Sequence, residues 1–261
     1  NYKNEIFNFK NSSVDIAKGR ISAGGKYNPA LTKLEINADM DNCDANLLST
    51  EFLNLPNHIF GKMNGSINLS AKGLNTPDGI KNINSKVNFS INNGKMPKLG
   101  SLEYLLRAGN LIKNGIVGFS LNNLIQILTP YKTGEFEQIK GSFALEKGEV
   151  NNLEIFSKGK NLSLYLNGSY SILDNLADIQ IYGKLSQSIS NALGAIGNAS
   201  IRQFIDAISA KKDKNIKDEQ LAKNLAKIPS IEIENPSPRY FRVKVLGDIN
   251  KENYIKSFRW E

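Results

Sequence analysis

The chain has little of the chemistry on which most enzyme active sites depend. Its 261 residues include one cysteine, Cys43, and one histidine, His58. A lone cysteine cannot form a disulfide within the chain, and one cysteine with one histidine cannot supply the ligands of a structural zinc site. His58 lies near Pro56 and Phe60 without a nucleophile motif beside it, so a structural role is expected for it.

Long apolar runs are also missing. The sequence contains no stretch of about 18 consecutive apolar residues, so no part of it is predicted to cross a membrane as a helix. The first residue is Asn1, and apolar alternation begins almost at once, at Ile6 and Phe9. We expect the chain to be a piece of a longer protein, with a signal or membrane anchor upstream.

The acidic residues and glycines do not form a recognisable catalytic or metal motif. Asp39, Asp41 and Asp44 resemble a Ca²⁺-binding loop only superficially, because the glycine at position 6 and the glutamate at position 12 of an EF-hand loop are absent. Gly194 and Gly197 lack the spacing of a dinucleotide- or phosphate-binding loop. We therefore expect no enzymatic activity, no metal and no cofactor.

The formal net charge of +8 does not arise from a concentrated basic patch. Lysines are scattered through turns and polar positions, and their densest run, at 211–217, is interrupted by Asp213. The abundance of Asn, Lys and Ile is typical of an AT-rich coding bias. We interpret the charge as a solvated surface, with a weak preference for anionic membranes as the alternative, and expect no nucleic acid partner.

Alternation of apolar and polar residues is the dominant pattern, and it is clearest between Ile139 and Gly183. This stretch predicts a meander of antiparallel hairpins, because each alternating segment is followed by turn residues. Its four predicted strands are Gly141–Gly148, Val150–Phe156, Leu162–Asn167 and Leu176–Tyr182. Further strands are expected twice within Tyr2–Ile16, then at Gly19–Ala23, Leu34–Met40, Gly65–Ala71, Ile83–Ile91, Ile231–Ile233, Tyr240–Val245 and Tyr254–Trp260. Turns are expected at Gly24-Gly25 together with Asn28-Pro29, and at Asn92-Asn93-Gly94.

Five segments have the apolar spacing of amphipathic helices. They are Asp44–Leu55, Leu99–Lys113, Leu121–Leu128, Leu185–Ser209 with a break near its glycines, and Asp218–Lys227. Helices inserted into a β array usually cover an open end or edge of the sheet. A lid over a ligand groove is the alternative.

The sequence also contains an internal repeat. Lys86–Met96 aligns without gaps with Lys140–Val150, and both contain Phe-x-apolar-x-x-Gly-x-apolar. This pattern predicts one hairpin used twice, and hence an elongated sheet that grows by addition of hairpins.

The order of motifs between Phe136 and Leu185 resembles the C-terminal region of the AsmA-like family, the group that includes YhdP and TamB. The residues that carry the likeness are Phe136, Gly141-Ser-Phe143-Ala-Leu145, Gly148-Glu-Val150, Leu153-Glu-Ile155, Leu162–Tyr170 and Leu176–Ile181. The resemblance extends over about Met63–Gly183. It implies a periplasmic protein anchored to the inner membrane, whose long twisted sheet curls into an apolar groove for phospholipid acyl chains.

The sequence therefore predicts a mainly β fold with inserted helices, an elongated antiparallel sheet curled into a groove that helices cap or cover. Residues 1–62 are expected to form an N-terminal β segment, 63–183 the AsmA-like region with helices at 99–128, 184–227 a helical segment and 228–261 the final strands. The residues expected to line the lipid groove are Ile67, Leu69, Val87, Phe89, Ile91, Phe143, Leu145, Leu162, Leu164, Leu166, Ile179 and Ile181.

Two functions remain open on this evidence. The first is transfer of phospholipid between bacterial membranes in support of outer-membrane biogenesis. The second is a structural scaffold or an assembly factor that binds outer-membrane or envelope proteins, in which case the same apolar residues form an ordinary core under a second layer of protein. Burying one large apolar side chain is worth about 1.5 to 3 kcal/mol, so an apolar face of this size requires a cover of some kind.

Overall fold

A single antiparallel sheet of twelve strands dominates the structure, with the strands in the order in which they occur along the chain. The computed structural model describes residues 2–3, 6–54, 56–73, 79–97, 135–159, 162–185, 218–231, 239–248 and 255–260. Within these residues the first and last strands do not pair with each other, so the sheet is open. The predicted mainly β fold, an elongated antiparallel sheet with inserted helices, is confirmed.

The strands vary from two to thirteen residues in length. They are β1 Tyr2–Lys3, β2 Ile6–Ile16, β3 Gly19–Asn28, β4 Lys33–Asp44, β5 Phe60–Lys72, β6 Ile83–Lys95, β7 Glu135–Glu146, β8 Glu149–Lys158, β9 Leu162–Ser171, β10 Leu176–Leu185, β11 Arg239–Asp248 and β12 Ile255–Trp260. The helices in the described part of the chain are α1 Ala45–Leu53, α2 Asp218–Ala226 and a 3-10 turn at Gly79–Asn82.

The strands end along two opposite sides of the sheet, and the connections alternate between these two sides, as they must in a meander. One side, the insert side, carries the connections from even to odd strands, and three of these are long: 45–59, 96–134 and 186–238. The opposite side, the turn side, carries the connections from odd to even strands, among them 29–32, 147–148 and 172–175. Both α-helices therefore belong to the insert side.

Helix α1 begins and ends with capping residues. The Asp44 carboxylate accepts hydrogen bonds from the backbone N–H groups of Asn46 and Leu47 at 3.0 and 3.2 Å. At the other end Asn54 adopts a left-handed conformation, with φ of 52°. These groups satisfy backbone donors and acceptors that a helix end leaves unpaired. The predicted helix with an Asp44 cap is confirmed.

Bulges keep the apolar side chains on one face where the sequence alternation shifts by one residue. In β2 the partners change from Phe9↔Gly25 to Ser12↔Ala23, so one extra residue is accommodated at Lys10–Asn11. Comparable shifts occur in β4 after Met40 and in β8 after Val150. A bulge inserts one residue and leaves the neighbouring side chains on their original face.

Asparagine supplies the left-handed backbone that several of these bulges require. Among the residues that the structure describes, eleven other than glycine have positive φ, and seven of these are Asn. Asn11, Asn42 and Asn152 lie at the bulges of β2, β4 and β8, and Asn93 lies within β6. Asn tolerates positive φ better than most side chains, so its abundance has a structural use in this sheet.

Several predicted boundaries are wrong because pairing overrides local turn propensity. Gly24-Gly25 lies inside β3 and Asn92-Asn93-Gly94 lies inside β6, so neither is a turn. Ile6, Phe9, Val14 and Ile16 were expected on two strands, but all belong to β2. The expected boundary at residue 62 falls within β5.

The repeat does not correspond to one hairpin used twice. Gly148 lies in the tight turn between β7 and β8, whereas its counterpart Gly94 lies within a strand and pairs with Phe136. The two copies are neighbouring strands, β6 and β7, paired with Phe89 opposite Gly141. The expected helices at Leu99–Lys113 and Leu121–Leu128, the one that follows Leu185, and the strand that follows Ile231 lie outside the described residues.

Phenylalanine rings lie flat over glycines of neighbouring strands at four places in the described part of the sheet. Phe9 is paired with Gly25, Phe89 with Gly141, Phe136 with Gly94, and Phe241 with Gly183. In each pair a Cβ added to the glycine would overlap the ring. Because the glycine has no side chain, the ring can lie along the sheet. This arrangement stabilises glycine in a strand and keeps the ring from projecting away from the sheet.

We predict that Gly141→Ala lowers the free energy of unfolding by about 1 to 3 kcal/mol, because the new methyl group would displace the Phe89 ring. Urea denaturation followed by circular dichroism measures the loss. Gly24→Ala is the matched control, since a Cβ there would meet nothing closer than the Phe9 carbonyl oxygen at 3.6 Å. Neither glycine has a positive φ. Equal losses in the two variants would contradict the ring-over-glycine explanation.

Candidate functional site

The strand register places an unbroken row of apolar residues and glycines across the sheet. One residue from each strand from β2 to β11 belongs to this row, and each is the pairing partner of the next. Its members are Val14, Ile21, Met40, Gly65, Phe89, Gly141, Ile155, Leu166, Ile181 and Val243. Directly paired residues share a face of the sheet, so all of these residues lie on one face, which we call the apolar face.

The adjacent row on the opposite face is polar from end to end. It is formed by the sequence neighbours of the residues just named. Its members are Ser13, Ser22, Asp39, Ser66, Asn88, Ser142, Glu154, Asn167, Gln180 and Lys244. We call this side the polar face. The contrast between the rows shows that the sheet is amphipathic over its whole width from β2 to β11.

All twelve residues predicted to line a groove lie on the apolar face. Register links them directly, as in Ile67↔Val87↔Phe143 and in Leu166↔Ile181. Ile91 is 3% exposed, and the other eleven are neither fully buried nor fully exposed. The apolar face therefore keeps part of its hydrocarbon surface accessible, unlike the interior of an ordinary two-layer domain.

A buried cluster of the apolar face lies near the insert side of β5 to β7. Ile91 and Ile139, which pair with each other, pack there with Ala45 of α1 and with Phe136. Met63 and Phe89 pack against the same cluster. Helix α1 thus covers an end of the apolar face and leaves most of its width outside this cluster.

Helix α2 packs on the polar face. Its Leu221 and Leu225, together with Ile228 just beyond it, contact Tyr165 and Tyr182. These two tyrosines are paired across β9 and β10 and are 1% and 0% exposed. Their rings stack with centroids 5.9 Å apart. The second buried cluster of the described residues is therefore on the face opposite the apolar row.

A charged hydrogen-bond group fixes the C-terminal end of α2 to the sheet. Lys227 Nζ donates to Glu154 Oε1 at 2.8 Å and to the Tyr165 hydroxyl at 3.0 Å, and that hydroxyl donates to Glu154 at 2.6 Å. Hydrogen bonds from Lys227 and Tyr165 lower the pKa of the Glu154 carboxyl. The same bond to Glu154, with a smaller effect from Tyr165, raises the pKa of Lys227.

A second, uncharged group lies further along the helix. Buried Asn224 donates from Nδ2 to the Tyr182 hydroxyl at 2.8 Å, and Tyr182 in turn donates to Gln180. Gln220 donates to Asn224 Oδ1 at 3.2 Å. The two groups border a cleft of about 550 Å³ between α2 and strands β8 to β10. Because their polar atoms bond to one another, their evident role is to hold the helix on the sheet.

Sequence reasoning missed this docking site, although a signal was present. Leu164-Tyr165-Leu166 and Ile181-Tyr182 interrupt the alternation with an aromatic residue at a polar position. A strand that is apolar on both sides is buried on both faces. The two interruptions therefore mark the place where the polar face receives a cover.

The other residues singled out by sequence have separate, local roles. Asp39 pairs with Ser22 and Ser66, while Asp44 caps α1, so these carboxylates do not converge. The His58 ring bonds to the Pro56 carbonyl oxygen at 2.8 Å. Cys43 is fully buried beside backbone carbonyls, and burial raises the pKa of its thiol. In the described ranges no three His, Cys, Asp or Glu side chains are grouped to hold a metal.

Comparisons with known proteins leave the function to be argued from this geometry. Searches of family models, of curated proteins and of solved structures found no match to the chain. Among the helices that the structure describes, none has the length and apolar content needed to cross a membrane.

We predict a pH-dependent contribution of the Lys227–Glu154 pair to stability. Its contribution is complete between about pH 4.3 and 10.4, the ordinary pKa values of Glu and Lys. It is lost at lower pH as Glu154, whose folded pKa is lowered, becomes protonated, and at higher pH as Lys227, whose folded pKa is raised, loses its proton. Glu154→Gln should cost about 0.5 to 1 kcal/mol at neutral pH and nothing in strong acid.

Urea denaturation of both proteins from strong acid to neutral pH measures the difference. Glu137→Gln is the matched control, because Glu137 also forms an ion pair on the sheet, with Lys158 at 2.7 Å, and within the described ranges this pair joins two strands without a tyrosine or a helix. A pH-independent cost of Glu154→Gln, or an equal cost of Glu137→Gln, would argue against the proposed role.

Proposed function

We propose that this chain is a non-enzymatic lipid-binding and lipid-transfer module of AsmA type, whose apolar face carries phospholipid acyl chains. The observation that carries the proposal is the uninterrupted apolar row from β2 to β11, most of whose side chains remain partly exposed at the surface of the sheet. A hydrocarbon chain is the ligand that such a surface recognises, since it offers contact area without hydrogen-bonding groups.

The length of the row favours an extended, flexible ligand. Neighbouring strands lie about 4.8 Å apart, so the nine steps from β2 to β11 measure roughly 43 Å. A compact ligand would use a small part of this surface, whereas acyl chains can lie along it in succession. The face provides no fixed polar partner along the row, so it selects for hydrocarbon rather than for a particular headgroup.

Energetics favour movement along such a surface. Each CH₂ group gains about 0.8 kcal/mol on leaving water, so an acyl chain strongly prefers the apolar face to solvent. Moving from a bilayer to the face exchanges one hydrocarbon environment for another, and the net free-energy change is small. A uniform row therefore binds lipid without holding it at one position.

The location and partners in this proposal follow the AsmA-like resemblance. The module would act in the periplasm, held at the inner membrane by an upstream segment, and would pass phospholipid towards the outer membrane. Its partners would be acyl chains and bacterial membranes, together with envelope proteins at the point of delivery.

We predict that Leu166→Asp abolishes lipid capture. Leu166 is paired with Ile155 and Ile181 in the middle of the row, so a carboxylate there would repel hydrocarbon from both neighbours. Asn167→Asp is the matched control: it places the same carboxylate one residue away on the polar face, beside Gln180. Native mass spectrometry of protein made in bacteria reports the bound phospholipid, and circular dichroism confirms that both variants keep their β structure.

Site-specific photo-crosslinking tests the same face without adding charge. A benzophenone amino acid at Leu166 should become linked to phospholipid, whereas the same probe at Asn167 should not. Protein adducts at Leu166 with no lipid adduct would instead support the scaffold or assembly-factor function. Equal lipid labelling at both positions would show that the apolar face has no special role.

A further inference from the structure

Exposed large apolar side chains are concentrated along the turn side of the sheet. Of the seven in the described residues, Val14 alone lies towards the insert side. The other six are Phe7, Tyr27, Leu31, Leu173, Leu176 and Leu246, all within or close to the connections from odd to even strands. They form two groups, one near the β3–β4 turn and one near the β9–β10 turn.

The group near the β3–β4 turn contains the most exposed of these six side chains, Leu31. Leu31, within the turn, is 54% exposed, and Tyr27, at the end of β3, is 39% exposed. Tyr27 pairs with Phe7 on one side and with Leu34 on the other, so it lies on the apolar face. Phe7 is also about half exposed. The apolar face therefore continues to the edge of the sheet here and joins the tip of the turn.

Lysines lie next to this apolar tip, on the polar face of the sheet. Lys26, Lys33 and Lys72 are exposed at the ends of their strands, with Glu35 as the neighbouring acid, which gives a local net charge of +2. Lys33 and Lys72 are paired directly opposite each other. The like charges of Lys33 and Lys72 repel each other in this position. Lys33 Nζ forms an ion pair with Glu35 at 2.6 Å, and Lys26 and Lys72 are left to attract further anions.

The group near the β9–β10 turn has the opposite charge. Leu173 and Leu176 are 42% and 48% exposed, comparable to Leu31 and Tyr27. The charged residues of the adjacent turns are Glu146, Lys147, Glu149 and Asp174, a local net charge of −2. Exposed apolar side chains are thus common to both groups, whereas only the first group has a net positive charge.

We infer that the β3–β4 turn docks on an anionic membrane surface, with Leu31 and Tyr27 entering the acyl region and Lys26 and Lys72 contacting lipid phosphates. Amphipathic aromatic and leucine side chains flanked by lysines are suited to the boundary between headgroups and acyl chains. Docking here would bring the edge of the apolar face to the membrane. The inference concerns an interaction surface, and it holds whether or not lipid moves along the row.

Co-sedimentation with vesicles of phosphatidylethanolamine and phosphatidylglycerol tests the inference directly. Leu31→Ser should reduce partitioning about tenfold, and Lys26→Gln with Lys72→Gln should reduce it more than tenfold, since each lysine near an anionic surface contributes about fivefold. Binding should weaken with added salt and should be far lower on phosphatidylcholine vesicles. All substituted positions are exposed, so the variants should melt like the parent protein.

Leu173→Ser is the matched control and should leave partitioning unchanged, because it removes an equally exposed leucine from the acidic group. Leu166→Asp should also retain vesicle binding, which separates failure of the docking site from failure of the lipid-carrying row. Equal losses in Leu31→Ser and Leu173→Ser, equal binding to phosphatidylcholine vesicles, or retention of the chain by an envelope protein with no binding to vesicles would overturn the inference.

Discussion

Hydrogen-bonded register between neighbouring strands is the constraint on which the rest of this structure depends. A side chain's face is decided by its partner, and a slip of one residue would move a whole strand's apolar set to the opposite side. Ten successive strands agree on one apolar row and one polar row. Bulges at asparagines such as Asn11 and Asn152 preserve this agreement where the sequence phase changes.

The two faces have different tasks because they are covered in different ways. On the polar face, α2 is fixed by Tyr165 and Tyr182 and by the ion pair of Lys227, and the buried cluster there is compact. On the apolar face, burial is deep beside α1 and mostly partial elsewhere. Rings that lie flat, such as that of Phe89 over Gly141, do not project from the sheet and so leave this apolar surface continuous. Packing thus stabilises the sheet beside the two helices, and hydrocarbon remains accessible on the apolar face away from them.

The sequence was sufficient to predict the meander and the shared face of the twelve groove residues, since period-two alternation depends on nothing beyond the strand itself. It was insufficient for strand ends. Gly24-Gly25 and Asn93 have the local preferences of turns, but pairing with neighbours on both sides retains them in strands. The docking of α2 was missed for a related reason: Tyr182 at a polar position has meaning only together with a helix remote in sequence.

The strictly sequential order of strands has a consequence for how the chain acquires its structure. Each strand from β2 to β11 pairs with the strands that immediately precede and follow it, so a strand must wait for a distant segment only at the long connections of the insert side. Loop closure between such neighbours costs little entropy wherever the connection is short. A chain that emerges progressively, from a ribosome or across a membrane, can therefore add strands one at a time to a growing edge.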